Sequence, residues 1–346
     1  MNKNLLRKLK KYNWTFRKDD FGLFTGKSGC SLALYIISNK YKDDELHAIA
    51  EKLLQETLEE IPSSTDLSID KGVLGVAMVV NFLIQNGYVE GDADDVLNDI
   101  DALLYKRLKN DDYRYGLSCT SGLICFLVYL VERLGSSKSQ NSLCFKINEA
   151  SLRTVINKLG QNTISQFANL TKDTYTSIIN DYPILFFYLG KAIKLNVYSD
   201  TICNMVNTWI MYITSYLPYY NINRLYLVNT LAFLNQSIKN DLLSKYIQVL
   251  IFSIDTDEMY KEIDRKILNI NEGFFFVEIL LWAFQKQFKD SPFEKKAELL
   301  HAKLKKTFHP LYTKSLNTLH MADSTHFINN FLGVETLKVL YPFLFE

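Results

Sequence analysis

The sequence is poor in the residues that punctuate β-structure. It carries six prolines and 14 glycines, and an all-β domain with many tight turns draws more heavily on both. The scarcity favours helices. Cysteines number five, at 30, 119, 125, 144 and 203. None stands in a CxxC pair, and the spacings match neither a disulfide framework nor a zinc finger. The thiols are expected to be reduced, in the cytoplasm. An excess of charge is missing too: 39 basic against 38 acidic side chains leave +1. A nucleic-acid binder concentrates a basic excess on one face. The longest purely apolar run, Leu123–Val131, covers nine residues, and a membrane span needs about 20. The segment MNKNLLRKLKKYNW is basic without an apolar run, so it does not read as a secretory signal. The expectation is a soluble cytoplasmic protein with no nucleic-acid partner and no membrane span.

What is present is apolar and aromatic. Hydrophobic residues make up 48% of the 346 positions, with 22 Phe and 21 Tyr, enough for a wide core of large side chains. Two kinds of helical segment alternate. In DDELHAIAEKLLQETLEEI, Leu46, Ile49, Ala50, Leu53, Leu54, Leu58 and Ile61 follow the i, i+3, i+4, i+7 rule, with Asp43 or Asp44 placed as cap. DVLNDIDALLYKRL repeats the pattern. Such helices have one wet face and belong on the outside. CSLALYIIS, VAMVVNFLI, LICFLVYLV, ILFFYLG and FFFVEILLWAF are apolar nearly all round, which requires burial on every side. Alternating wet and dry helices imply two layers, the dry ones inside.

The dry helices begin alike: Gly26-Lys-Ser-Gly29, Gly72-Val-Leu-Gly75, Cys119-Thr-Ser-Gly122. The steps from Gly29 to Gly75 and from Gly75 to Gly122 are 46 and 47 residues, a period that marks a helical-hairpin repeat. Weaker dry segments follow at 183–189, 225–234 and 274–284, and NNFLGVETLKVLYPFL makes a seventh. Seven hairpins with inner helices side by side predict an all-α fold, an α/α toroid, over a single domain of residues 1–346. An open solenoid is the alternative, but it needs polar end repeats, and the last segment ends in LYPFLFE.

FGLFTGKSG, SIDKGVLGVAMVVNFLIQNGYVEGDADDVLNDID and YGLSCTSGLICFLVYL resemble the lanthionine synthetase C-like proteins. The resemblance is specific over the first ~140 residues, where the periodic glycine-rich starts are intact. It implies an α/α toroid with seven inner helices. Catalytic members of the family are zinc-dependent cyclases that add a cysteine thiol of a precursor peptide to a dehydrated Ser or Thr. Their zinc is held by a cysteine in a Trp-Cys motif and by an adjacent Cys-His pair, at inner-helix starts late in the chain. Here the corresponding segments begin INRLYLVN and NINEGFFF, without Cys or His. The expectation is a divergent member with no zinc, no other cofactor and no cyclase activity, binding a peptide or partner protein in its central cavity in a peptide-modification setting.

Other motifs yield to plainer readings. GLFTGKSG fails as a phosphate loop because Gly22 and Gly26 enclose three residues where the motif needs four, and no strand precedes it. GDADDVLND resembles a metal-binding aspartate cluster, with Asp95 and Asp99 four apart, but reads as acidic residues in a helix's first turn. Lys3, Arg7, Lys8, Lys10 and Lys11 read as the solvated face of a surface helix. His47 and His301 fall on outer helices facing away from the interior; His320 and His326 precede the last inner helix and make a weak metal pair.

Residues at the inner-helix starts are expected to line one mouth of the ring: Lys27, Asp70, Lys71, Cys119, Thr120, Asp181, Arg224, Glu272 and Asn330. Such positions serve both caps and anion sites. None is assigned as catalytic. The alternative function is a zinc-independent enzyme such as a glycan hydrolase, with Asp70 and Glu272, or Asp181 and Glu272, as its carboxylate pair.

Overall fold

The computed structural model describes residues 3–14, 16, 22–24, 26–61, 66–110, 115–167, 179–263, 274–289, 291 and 293–318. These residues form 15 helices and no strand. They gather into two compact units. The described residues of Met1–Asp112, Ser136–Asn148 and 313–318 fall in the first, those of Tyr113–Gly135 and Glu149–Tyr312 in the second. The seventh dry segment, with His320, His326 and Asn330, lies outside the described residues, as does Glu272.

In the first unit, α1 (Lys3–Lys11) buries Leu9 completely. Its Lys10 reaches Asp43 at 2.9 Å and Glu45 at 3.1 Å, at the start of α3 (Asp44–Glu60). The basic helix therefore docks through carboxylates of the chain itself. Between them runs α2 (Lys27–Tyr41), buried continuously from Lys27 to Ser38. Its last turn closes on Lys42, whose left-handed conformation (φ 54°) ends the helix. α3 buries Leu46, Ala50, Leu53, Leu54 and Thr57, one stripe at helical spacing. Asp43 caps it, Oδ1 accepting from Leu46 N–H at 3.2 Å. Ser31 on α2 donates to Ala50 O at 2.7 Å, tying the dry helix to the wet one.

The pattern repeats with α4 (Val73–Gln85), buried from Val73 to Asn81. The following amphipathic segment is broken into α5 (Ala93–Val96) and α6 (Asn98–Lys109) at Leu97, whose φ of −100° and ψ of 1° leave the helical region. Asp92 caps α5 through Asp94 N–H at 2.9 Å, with Asp94 and Asp95 in its first turn. Asp95 and Asp99, four apart in sequence, thus lie on different helices, each in a first turn.

Along the chain the alternation continues, mostly within the second unit: dry α7 (Leu123–Ser136), wet α8 (Leu143–Asn162), dry α9 (Asp181–Lys194), wet α10 (Ser199–Ser215), dry α11 (Asn221–Ile238), wet α12 (Asp241–Ser253), short α13 (Thr256–Glu262), dry α14 (Phe274–Gln287) and wet α15 (Glu294–Thr318). α9 packs on α11 with almost no gap. A Cβ on Gly190 would lie 3.0 Å from Phe233 Cδ1 and 3.1 Å from Leu234 Cα. The Phe187 and Phe233 rings meet with centroids 4.6 Å apart. Such a ring pair is worth about 0.5–1.5 kcal/mol beyond its area. Glu132 on α7 accepts both its bonds from Lys191 on α9, at 2.9 and 3.0 Å. Asn229 on α11 donates to Leu280 O of α14 at 3.0 Å. The inner helices are therefore joined by apolar packing and by single polar ties.

Both histidines of the outer helices touch dry neighbours, although His47 stays exposed, as expected of an outward-facing side chain. The His47 ring meets Tyr35 of α2 edge-on at 5.1 Å, and His301 Nε2 lies 3.1 Å from Glu278 Oε1 of α14. No described helix is long and apolar enough to cross a membrane.

Candidate ligand site at the inner-helix starts

The glycine-rich starts are backbone junctions. In the first unit, Val73 N–H donates to Asp66 O at 2.9 Å, and Gly75 N–H to Ser68 O at 3.4 Å. A second segment lies against this loop: Leu23 N–H donates to Ile69 O at 3.1 Å and Phe24 N–H to Asp70 O at 3.3 Å. There is no room for side chains between them. A Cβ on Gly75 would stand 2.0 Å from Ile69 O, and one on Gly22 2.3 Å from Asp70 O.

The same junction is built again in the second unit. Leu123 N–H donates to Gly116 O at 2.9 Å, and Cys125 N–H to Ser118 O at 3.1 Å. A Cβ on Gly122 would meet Gly116 O at 2.4 Å and Ser118 N at 2.6 Å; on Gly72, Asp66 O at 2.4 Å and Ser68 N at 2.7 Å. Gly122 is therefore the counterpart of Gly72, three residues before the Gly75 with which sequence spacing pairs it. Ser118 answers Ser68, and Cys119 and Thr120 answer Ile69 and Asp70.

These junctions place the predicted site residues. Lys27 is buried, its Nζ 2.7 Å from Glu60 Oε1 at the end of α3. A cation in the first turn opposes the helix dipole, and the carboxylate offsets that. Asp70 is half-buried and accepts from the N–H of Lys71 at 3.0 Å, while the Lys71 side chain is exposed.

Asp181 Oδ1 accepts the backbone N–H of Cys119 at 2.6 Å. Burial pushes the Cys119 thiol well up, and the Asp181 charge and hydrogen bond add to the shift. A thiol held protonated is a poor nucleophile and a poor metal ligand. Thr120 is half-buried, its N–H on Ser118 Oγ at 3.1 Å.

Arg224 is spent on the chain itself. Its guanidinium donates to Pro218 O at 2.7 Å, Ser253 O at 2.5 Å, Asn221 Oδ1 at 3.3 Å and Tyr219 O at 3.3 Å.

One carboxylate that shapes these starts was not legible. Glu262, at the end of α13, grips the start of α11: Oε1 accepts Asn221 N–H at 2.9 Å and Asn221 Nδ2 at 2.6 Å, and Oε2 accepts Ile222 N–H at 3.1 Å. The local residue at that cap, Tyr220, makes no side-chain capping hydrogen bond. That missing local cap was the available signal.

The donor set does not fit a zinc ion. The α11 start offers two amides and a guanidinium, and the sequence over 264–273 holds no Cys or His. Among the described residues no group of three His, Cys, Asp or Glu side chains converges. The carboxylate pairs of the hydrolase alternative both use Glu272, outside the described residues.

No protein-family model matches the chain, and no curated protein matches it. Among solved structures, nisin cyclase matches with a TM-score of 0.62 at 12% sequence identity, over 98% of this chain and 94% of nisin cyclase. With alternating dry and wet helices, α4 and α7 entered through glycine junctions, the chain has the α/α toroid fold of the lanthionine synthetase C-like proteins.

Proposed function

We propose that the chain is a lanthionine synthetase C-like protein that binds a peptide or protein partner at its inner-helix starts, and that it does so without zinc and without cyclase activity. The fold is shared with a protein named as a cyclase of nisin, which supports a setting of peptide modification. The observation that carries the reading is the use of the Arg224 region: where a metal-based cyclase needs three convergent ligands with one position open, this chain has a guanidinium held by backbone carbonyls.

In this reading Lys71, Asp70, Thr120 and Asp181 supply polar contacts beside apolar helix ends. Buried Lys27 and Cys119, with half-buried Arg224, hold the scaffold.

Zinc content of the purified protein tests the first half. Substoichiometric zinc, and a melting temperature indifferent to chelator, is the expected result; one tightly held zinc per chain overturns it. Affinity capture with peptides encoded beside this gene tests the second half. Binding that weakens several-fold in Lys71→Glu supports the mouth, and no binding to any of the peptides counts against it.

A further inference from the structure

The outer helix α12 departs from the one-stripe rule. It buries Leu243, Tyr246, Ile247 and Leu250, yet its opposite face carries Leu242, Val249 and Phe252, with Phe252 75% exposed. The last two are three apart and Leu242 lies seven before Val249, so all three share one side of the helix. Leu299 of α15 is 72% exposed as well. An outer helix that faces only water has no reason to keep such a stripe.

Phe252 stands between two hollows. On one side is a cavity of about 610 Å³ walled by Ile247, Ile251 and Phe288 together with the uncharged polar side chains of Asn235, Gln248 and Gln287, with no ionisable residue among its lining. On the other is a groove of about 720 Å³ that carries Asp255 and Asp257 together with Lys296 and Lys303. An apolar knob thus sits beside an uncharged hole of mixed apolar and polar lining, and the flanking groove carries both signs of charge, with Lys303 3.9 Å from Asp257 of the same chain.

We infer that this face is a self-association surface, and that its occupant is a second copy of the chain. Under two-fold symmetry every contact is made twice, so one patch must hold both halves of each contact. This patch does. Phe252 of each copy enters the other's cavity, where no charge has to be desolvated. The acidic and basic residues of the grooves meet their opposites across the axis. A partner chosen by charge would call for a groove of one sign, which this groove is not. A buried aromatic anchor filling a hole is the usual centre of such an interface.

Sedimentation equilibrium on the full chain reads the outcome. A reversible dimer is expected, with Phe252→Ala raising the dissociation constant roughly thirtyfold and Phe252→Lys leaving monomer. Ala232→Phe, which narrows the cavity from the α11 side, is expected to weaken the dimer while Phe252 stays in place. Thermal melts separate folding from association: Phe252 variants should melt as the wild-type monomer does. Benzoylphenylalanine at position 252, in a mixture of light and heavy isotope-labelled chains, should cross-link between chains, to peptides containing Ile247, Ile251 or Phe288. A wild-type chain that stays monomeric at all concentrations overturns the inference. So does a dimer that Phe252→Lys leaves intact, or one whose cross-links fall elsewhere.

Discussion

Asp181 accepts the backbone N–H of Cys119 at 2.6 Å, across 62 residues of sequence. The first residue of one inner helix thereby fixes the loop that starts another. A hydrogen bond to a carboxylate is worth about 1.5–3 kcal/mol. Asp181→Ala is expected to lose that amount in urea denaturation, and Asp181→Asn about half of it. The same substitutions lower the Cys119 thiol's ionisation range without bringing it to an exposed value, because burial is the larger cause of the shift. Slow alkylation of Cys119 in both variants at neutral pH would agree.

Glu262 caps α11 from 40 residues downstream. Glu262→Gln keeps the shape but offers one acceptor oxygen where two N–H groups need separate ones. The expected cost is about 1–2 kcal/mol, with faster amide exchange at Ile222 and no change at the Asn240 cap of α12. Uniform exchange across both caps would refute a local role.

Glycines separate cleanly by what a methyl group would meet. Gly75→Ala drives a Cβ to 2.0 Å from Ile69 O, and neither backbone can retreat without breaking the junction. A loss of more than about 3 kcal/mol, or failure to fold, is expected. Gly116→Ala, with nothing within 4 Å of the new atom, should stay within about 0.5 kcal/mol of wild type. Soluble yield and melting temperature of the two variants provide the comparison.

Lys27 and Glu60 form a lopsided pair, with side-chain exposures of 8% and 28%. Glu60→Ala strands a buried ammonium and should cost about 1–3 kcal/mol, below the figure for a fully buried pair because Glu60 keeps some water. Lys27→Met leaves a carboxylate that can hydrate, and should fall within about 1 kcal/mol of wild type. Equal losses in the two variants would contradict this asymmetry.

Alkaline pH should weaken the fold. Burial raises the Cys30 and Cys119 thiols, and it pushes Tyr35 up to about 12 with help from the Glu51 charge. Each group stays protonated in the folded chain at a pH where the unfolded chain releases its proton. Stability is therefore full below the unfolded thiol pKa of about 8.5 and falls as pH rises beyond it. Urea midpoints at pH 7.5 and pH 10 should show the decline, and Cys30→Ala should make it shallower.

The alternation of dry and wet helices was legible because burial is written into composition at helical spacing: α2, α4, α7, α9, α11 and α14 coincide with the apolar segments. The register of the junctions was not. Gly75 and Gly122 look equivalent by spacing, but hydrogen bonds to Ser68 and Ser118 pair Gly72 with Gly122, because a backbone contact leaves no side-chain trace beyond the absence of one. The break at Leu97 was hidden by an apolar pattern that runs straight through it. Glu262 was invisible for a different reason: a cap supplied from another element has no fixed offset. Of the predicted mouth residues, sequence position alone could not separate exposed Lys71 from buried Lys27.

The junction at Gly72 and its twin at Gly122 hold the chain by amide and carbonyl groups, which every residue possesses. What the junction demands of the sequence is therefore an omission, a missing methyl at a fixed step from a loop. Nearly every other character in the segment is left unconstrained by it. SIDKG and SCTSG spell the same structure with two letters in common. A scaffold specified this way can drift far in spelling while its architecture stays put, and its kin are better sought by the spacing of their gaps than by the identity of their side chains.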